Sequence, residues 1–361
     1  MPVMRTTAQL LVNGLAYEGW TSISVKRSLR DAAARFELGL TDKWPGRSES
    51  WPLAPGDKAE IWLDDEKVLT GFIDTLEPDI SEVAHGVRVT GRSRTADLVD
   101  CAALVKGGQF QNYDLAAIAR ALAAPFGIDV SAEAPTGAAF ADVQINPGET
   151  CFAVIERLCR LRALLASDTR DGHLRLTRAG AGGAGRASGL VYGTNIVSAR
   201  ASLSHARRFS DYIVKGQQAG SDDIDGPRAA QPSGTVKDAA VTRYRPKLIL
   251  AEAPGGGADM TQRAIWDQRI DAAESLEVSV AVRGWRDENG VLWDAGQICP
   301  VSIAPLGIDQ DLLIVDVEWR KDESGSASVM TLLPPEALTP EPVSVAKASG
   351  NAKSDMWRGV I

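Results

Sequence analysis

The stretches GDKAEIWLDDEKVLTGFID (56–74) and GQICPVSIAPLGIDQDLLIVD (296–316) decide the fold, because each reads as the same β-rich unit. In each, a glycine (Gly56, Gly296) precedes a strand and an aliphatic–Asp step (Ile73-Asp74, Val315-Asp316) follows. Thirteen residues past either aspartate another strand begins, at Val87 and at Val329. The glycine-to-aspartate intervals are 18 and 20 residues, so the match is loose. It is either a duplication or two β-rich segments that align by chance. A duplication predicts two similar β-barrels with whatever lies between them set apart.

Around the first copy the chain alternates with period two. Phe36, Leu38 and Leu40 alternate with Glu37, Gly39 and Thr41, and Val87 and Val89 with Arg88 and Thr90. Such alternation marks strands with one buried face. Turn signals stand between them at Trp44-Pro45-Gly46, Pro55-Gly56-Asp57 and Asp64-Asp65-Glu66. Short strands with frequent turns suggest a small barrel or a sandwich. Around the second copy, Leu276, Val278, Val280 and Val282 alternate most cleanly, and Ile298–Ile303, Leu312–Glu318 and Val329–Leu333 add strands.

Between the two copies the period changes. Asp114 is a candidate N-cap, followed by Leu115, Ile118, Ala119 and Leu122 at helical spacing. A short strand is expected at Ile128–Val130. A second helix follows Asn146-Pro147-Gly148, with Val154, Leu158, Leu161 and Leu165 as its apolar stripe. Leu174 and Leu176 read as a strand, and residues 179–189 as a Gly/Ala linker. Farther on, Tyr212–Val214 is a strand, 219–234 a polar surface loop and 259–273 a helix. From Pro334 the chain turns Pro-, Ala- and Lys-rich and reads as an extended tail.

Composition narrows the function. A chain of 361 residues, 44% hydrophobic and 24% charged, predicts two or three globular domains. The net charge of −8 argues against a protein that works by neutralising nucleic-acid phosphates. Cys101, Cys151, Cys159 and Cys299 are too few and too scattered for a disulfide framework, and read as free thiols in a reducing compartment. No signal peptide and no membrane-spanning run is read, which predicts synthesis and folding in a cytoplasm.

Few residues suggest chemistry. His85, His173 and His205 lack metal-ligand spacing with one another or with any cysteine, so no metal and no cofactor is expected. Ser204-His205 comes without a nucleophile elbow. Asp64-Asp65-Glu66 reads as turn chemistry, and Asp222-Asp223-Asp225 lacks a calcium-loop pattern. No catalytic residue is assigned. Trp20, Trp62, Trp285, Trp293 and Trp319 lie in or beside strands, where core or interface roles compete. The balance favours assembly over catalysis.

Six phrases then carry a specific resemblance: WTSISVKRSLRDAAARFELGLT (20–41), GFIDTLEPDI (71–80), VTGRSRTADLVDCAA (89–103), RRFSDYIVKGQ (207–217), TRYRPKLILAE (242–252) and VRGWRDENGVLWDAGQ (282–297). In this order, and over residues 15–338, the chain resembles the Mu-like tail protein P family, the baseplate hub of contractile-tailed phages. That family is similar to the hub of T4-type phages and to the hub half of type VI secretion spike proteins.

The resemblance implies a mainly β protein with an α+β insert. Two tail-tube-like β-barrel domains (1–98 and 191–335, the second with a helix and a long loop) would flank a small α/β module (99–190), with a flexible tail at 336–361. It implies a non-enzymatic, homotrimeric, pseudo-sixfold ring in the virion baseplate, assembled in the bacterial host cytoplasm. The ring's partners would be the trimeric spike protein, the tail tube or a tube-proximal tail protein, and other baseplate proteins. DNA would pass through its lumen without specific binding, past acidic residues that limit sticking. The competing readings are a tail-associated cell-wall hydrolase and a peptidoglycan-binding module. At the C-terminus, Trp357, Arg358, Val360 and Ile361 are candidate interface residues for docking on the spike or a neighbouring tail protein.

Overall fold

A computed structural model describes residues 7–41, 53–80, 85–162, 164–178, 185–216, 233–250 and 257–338. The Trp44-Pro45-Gly46 turn, nearly all of the 219–234 loop and the tail from 339 onward lie outside these residues.

Alternation builds the first half. β1 (Ala8–Val12) and β2 (Leu15–Tyr17) form a hairpin on Asn13-Gly14, both at positive φ (52° and 81°), the pairing this tight turn favours. β3 (Ser22–Ser28) and β4 (Arg35–Thr41) bury Ile23, Val25, Phe36 and Leu38 on one face. β5 (Lys58–Leu63), β6 (Glu66–Ile80) and β7 (His85–Ser93) complete the half.

The module follows as α1 (Ala96–Asp100), β8 (Gln109–Tyr113), α2 (Leu115–Ala123), β9 (Val130–Ala132), β10 (Phe140–Gln144), α3 (Cys151–Arg162), β11 (Leu165–Asp168) and β12 (Leu174–Thr177). Asp114 caps α2 as expected, its Oδ1 accepting from the Ala117 N–H at 2.7 Å. Leu115, Ile118, Ala119 and Leu122 join Val154, Leu158 and Leu174 in a core of the module's own. Two boundaries differ from the sequence reading. α3 ends at Arg162, and Leu165 opens β11 instead of extending the helical stripe. The strand expected at Ile128–Val130 starts at Val130, because Gly127 in the left-handed region ends the preceding turn and only then lets the chain extend.

The second half begins with β13 (Leu190–Val191) and β14 (Ile196–Leu203). Then Phe209–Gln268 form a separate compact unit. It holds β15 (Asp211–Lys215), β16 (Ser233–Lys237), β17 (Pro246–Leu250) and most of α4 (Gly257–Ala273). Its sheet runs β16-β15-β17, and Tyr212, Val214, Met260 and Ala264 make its small core. The chain then continues through β18 (Leu276–Arg283), β19 (Ile298–Ile303), β20 (Ile308–Asp322) and β21 (Gly325–Leu333).

The repeat is present in the strand order. The first half pairs β3-β4-β7-β6-β5 and the second β14-β18-β21-β20-β19, every neighbour antiparallel. Gly56 and Gly296 sit at φ +91° and +97°. Each donates its N–H to an isoleucine carbonyl, Ile73 and Ile314, at 2.8 Å. Those isoleucines donate back to Asp57 and Gln297. One residue later each long strand carries a bulge, at Asp74 in β6 and at Val315 in β20. The structural equivalence is therefore Asp74 with Val315, one residue off the Asp74–Asp316 match that the sequence suggests. The halves differ in their turns: Asp64-Asp65 joins β5 to β6, whereas a helical turn over Ala304–Leu306 joins β19 to β20, which lengthens the second copy.

The fold is mainly β with small helices. The two halves are not separate sheets. β20 also pairs antiparallel with β3, so the described strands of both form one thirteen-stranded sheet, and no closed barrel is found in it.

Candidate assembly edges and the ion-paired junction

The β3–β20 joint sets Ile23 opposite Lys321, Val25 opposite Trp319 and Ser28 opposite Asp316. Leu29 N–H donates to the Val315 carbonyl (2.9 Å), and the Ser24 hydroxyl to Glu318 Oε1 (2.7 Å). Through the repeat, β14 occupies in the second half the place of β3, and Thr75–Ile80 of β6 the place of Asp316–Lys321. Yet β14 pairs only with β18, and the outer side of Thr75–Ile80 has no strand partner among the described residues. Both are edges of the same geometry as the joint. β14 exposes Val197 (59%) and Leu203 (74%), whereas solitary edges are usually protected by charge, proline or cover. Pro78 lies in the β6 stretch, a position that suits a strand with an open side.

At one end of the sheet an ion-paired junction ties the module to both halves. Arg27, 5% exposed, donates to the Asp168 carbonyl (3.0 Å) and pairs with the carboxylates of Asp168 (3.5 Å) and Asp294 (3.7 Å). Asp168, 2% exposed, accepts from the Ala34 N–H at 3.2 Å. Burial pushes its carboxyl up from the usual range, and Arg27 only partly opposes this. Arg170 reaches Asp294 (2.9 Å) and Glu66 (2.6 Å), and Arg286 takes Glu66, Asp65 (3.1 Å) and Asp64 (3.5 Å). Burial alone would raise Glu66, but hydrogen bonds from Arg286 and Arg170 outweigh it and hold the carboxyl below its ordinary value. Thus the acidic turn 64–66, read from sequence as turn chemistry, is also the acceptor for two arginines remote in sequence.

A second anchor holds residues that the sequence suggested were linker. Asp287 accepts from Ser188 N–H (3.1 Å) and Oγ (2.7 Å), and from the N–H groups of Asn289 and Val291. Within 179–189, residues 185–189 are described, and Ala187 and Ser188 are buried.

The other singled-out residues are placed as follows. Trp285, Trp293 and Trp319 are core. Trp319 Nε1 donates to the Trp293 carbonyl and Trp285 Nε1 to the Arg320 carbonyl, both at 3.0 Å. His173 Nδ1 accepts from the Asp129 N–H at 3.0 Å, and His205 is exposed. Among the described residues no group of three or more His, Cys, Asp or Glu side chains could hold a metal. An open cleft of about 740 Å³ lies on the polar face of the sheet, beside Phe152 of α3. Within it Arg92 binds Asp74 (2.6 Å), and it also reaches Asp100 (2.8 Å). On the same face Arg88 pairs with Glu37 (3.2 Å) and Arg320 with Glu318 (2.7 Å). Trp357, Arg358, Val360 and Ile361 lie outside the described residues. Sequence reasoning missed the two strand edges; the exposed apolar residues of β14 were the available signal.

Comparison with known proteins agrees with this architecture. Residues 7–93 match the family "Mu phage baseplate assembly protein GpP-like, N-terminal", 95–178 "Baseplate hub protein gp44-like, second domain", and 257–341 "Mu phage baseplate assembly protein GpP, fourth domain". The chain is 33% identical over 344 residues to the baseplate hub protein gp44 of Escherichia phage Mu, covering 93% of this chain and 89% of that protein. The crystal structure of the 43 kDa tail protein of prophage MuSo2 from Shewanella oneidensis superposes with a TM-score of 0.82 at 30% identity, over 93% of this chain and all of that one. A component of the Escherichia coli type VI secretion system, c3393, described as structurally similar to T4 tail proteins gp27 and gp5, shares the fold at 13% identity (TM-score 0.58, 92% and 79% covered). With a strand order built twice and a relative matched nearly end to end, the chain belongs to the family of Mu-like phage baseplate hub proteins.

Proposed function

We propose that the protein is the structural hub of a contractile tail baseplate and works as a homotrimeric ring in which β14 of each copy adds to β6 of the next. One observation carries this reading: the β3–β20 joint is formed once within the chain, and among the described residues the equivalent outer sides of β14 and Thr75–Ile80 have no strand partner. A head-to-tail contact whose rotation completes a turn in three steps closes into a trimeric ring. Three copies with two joints each give six near-equivalent sheets, the number needed to meet a sixfold tube on one side and a threefold spike on the other. Each half then acts as a tail-tube-like barrel element completed by its neighbours. Transferring the register of β3–β20 sets Leu203 opposite Leu76, Ser202 opposite Glu77, Ala201 opposite Pro78 and Arg200 opposite Asp79.

The same reading divides the chain into tube-like parts at 1–98 and 191–335, a module at 99–190 facing other baseplate proteins and a tail at 336–361. Trp357, Arg358, Val360 and Ile361 remain the candidate contact with the spike. The polar sheet face is the candidate channel lining. Three of its carboxylates, Glu37, Asp74 and Glu318, are paired with arginines, so the face would present DNA with partly compensated charge and not the uniformly acidic wall suggested by the net charge. The reading is tested with Ser202→Cys combined with Glu77→Cys. Oxidation is expected to yield a covalent trimer, at three times 38.4 kDa. Failure to cross-link in assembled tails would overturn the joint.

A further inference from the structure

Cys101 and Cys151 are joined through the backbone where the chain leaving α1 meets the first turn of α3. Ala102 and Thr150 form an isolated antiparallel bridge. Two bonds frame it: Ala103 N–H to the Glu149 carbonyl (2.9 Å) and Cys151 N–H to the Cys101 carbonyl (3.0 Å). The Cys151 N–H to Cys101 carbonyl bond sets these two residues next to each other at the point where the bridge gives way to α3. Opposed antiparallel residues have Cα atoms about 4.5–5.5 Å apart, within the ~4.4–6.8 Å that a disulfide spans. Cys101 is exposed and Cys151 buried. The Cys151 thiol donates to the Ala102 carbonyl, which holds its sulfur on the bridge at 3.7 Å. Burial raises the Cys151 thiol and the nearby Cys101 adds to that, so the two sulfurs share one electrostatic environment. The other two cysteines differ: burial pushes Cys159 and Cys299 up to about 12, as expected of inert core thiols.

We propose that Cys101 and Cys151 form a redox-closable pair, two thiols in a reducing cytoplasm and a disulfide in an oxidising medium. The oxidant is a low-molecular-weight disulfide. The exposed Cys101 thiolate attacks it, forming a mixed disulfide and expelling one small thiolate. Cys151, after losing its proton to solvent, attacks the Cys101 sulfur and expels the second. One small disulfide is reduced to two thiols as the protein pair is oxidised. The product staples the end of α1 to the start of α3 and closes the loop that carries β8, α2, β9 and β10. The proposal is independent of the ring and adds a modification site to the module.

The test uses the full chain, incubated at about pH 8 with oxidised glutathione or with a dithiol reductant, then alkylated and digested. Oxidation is expected to protect both cysteines from alkylation and to yield one linked peptide pair containing residues 101 and 151. The melting temperature is expected to rise by roughly 5–10 °C through closure of that loop. Cys101→Ser, at an exposed position that the fold tolerates, should abolish both effects. Recovery of Cys101 only as a glutathione adduct, with Cys151 still alkylatable after unfolding, would overturn the proposal. So would an equal melting shift in Cys101→Ser.

Discussion

Glu66 shows what a single residue contributes to holding three parts of the chain together. Its two oxygens are divided between Arg170, 104 residues away, and Arg286, 220 residues away. Its folded carboxyl titrates below its ordinary value, held there by the hydrogen bonds from Arg286 and Arg170, so its ionised form favours the folded state. That contribution is complete above the unfolded value and is lost as pH falls through the lowered folded one. Glu66→Gln should therefore lower the urea midpoint at pH 7 and flatten the acid limb, the two proteins converging in strong acid. Parallel pH profiles would show that Glu66 is not linked to folding. The partners of Asp64-Asp65-Glu66 were not legible in the sequence, because turn propensity is local and these arginines come from remote segments. Asp287 makes a companion case with a stability readout. Asp287→Ala strips the acceptor from Ser188, Asn289 and Val291 and is expected to cost about 1–3 kcal/mol in chemical denaturation.

Among elements, strands with one buried face were readable because alternation is a property of the strand itself. β4, β7 and β18 are found where it appears. The bulges were not, since an extra residue is defined only against a partner strand. That is why the sequence pairs Asp74 with Asp316 and the structure pairs it with Val315. β14 escaped notice because its pattern lacks buried positions: an edge strand that contributes little to the core has no periodic signature. The repeat also hides a difference between the halves. Gly91 in β7 occupies the place of Leu332 in β21. A Cβ on Gly91 would stand 2.2 Å from the Phe72 carbonyl oxygen and 2.4 Å from the Phe36 ring. Gly91→Ala is therefore expected to destabilise the protein by about 1–3 kcal/mol, with an unchanged urea m-value. An unchanged midpoint would mean that β4 and β6 can separate at no cost.

For the whole molecule, the deciding feature is long-range pairing. The duplication was visible in two sequence stretches, but the joint between its copies connects residues nearly three hundred positions apart, as in the Ser24–Glu318 hydrogen bond. Local sequence carries no record of such a pairing. The joint makes the proposed ring testable through charge. In the transferred register Arg200 of β14 faces Asp79 of β6 in the next copy, and both are exposed in the single chain. Arg200→Glu sets two carboxylates opposite each other across an antiparallel pair and should weaken assembly; Asp79→Arg alone should do the same by opposing two cations. Combined, the two substitutions restore opposite charges and should recover the trimer. Mass in solution and incorporation into tails read the outcome. Recovery in the double variant, with both single variants impaired, identifies the register, because general damage to the fold would accumulate instead of cancelling. Two unimpaired single variants would place the contact between copies elsewhere.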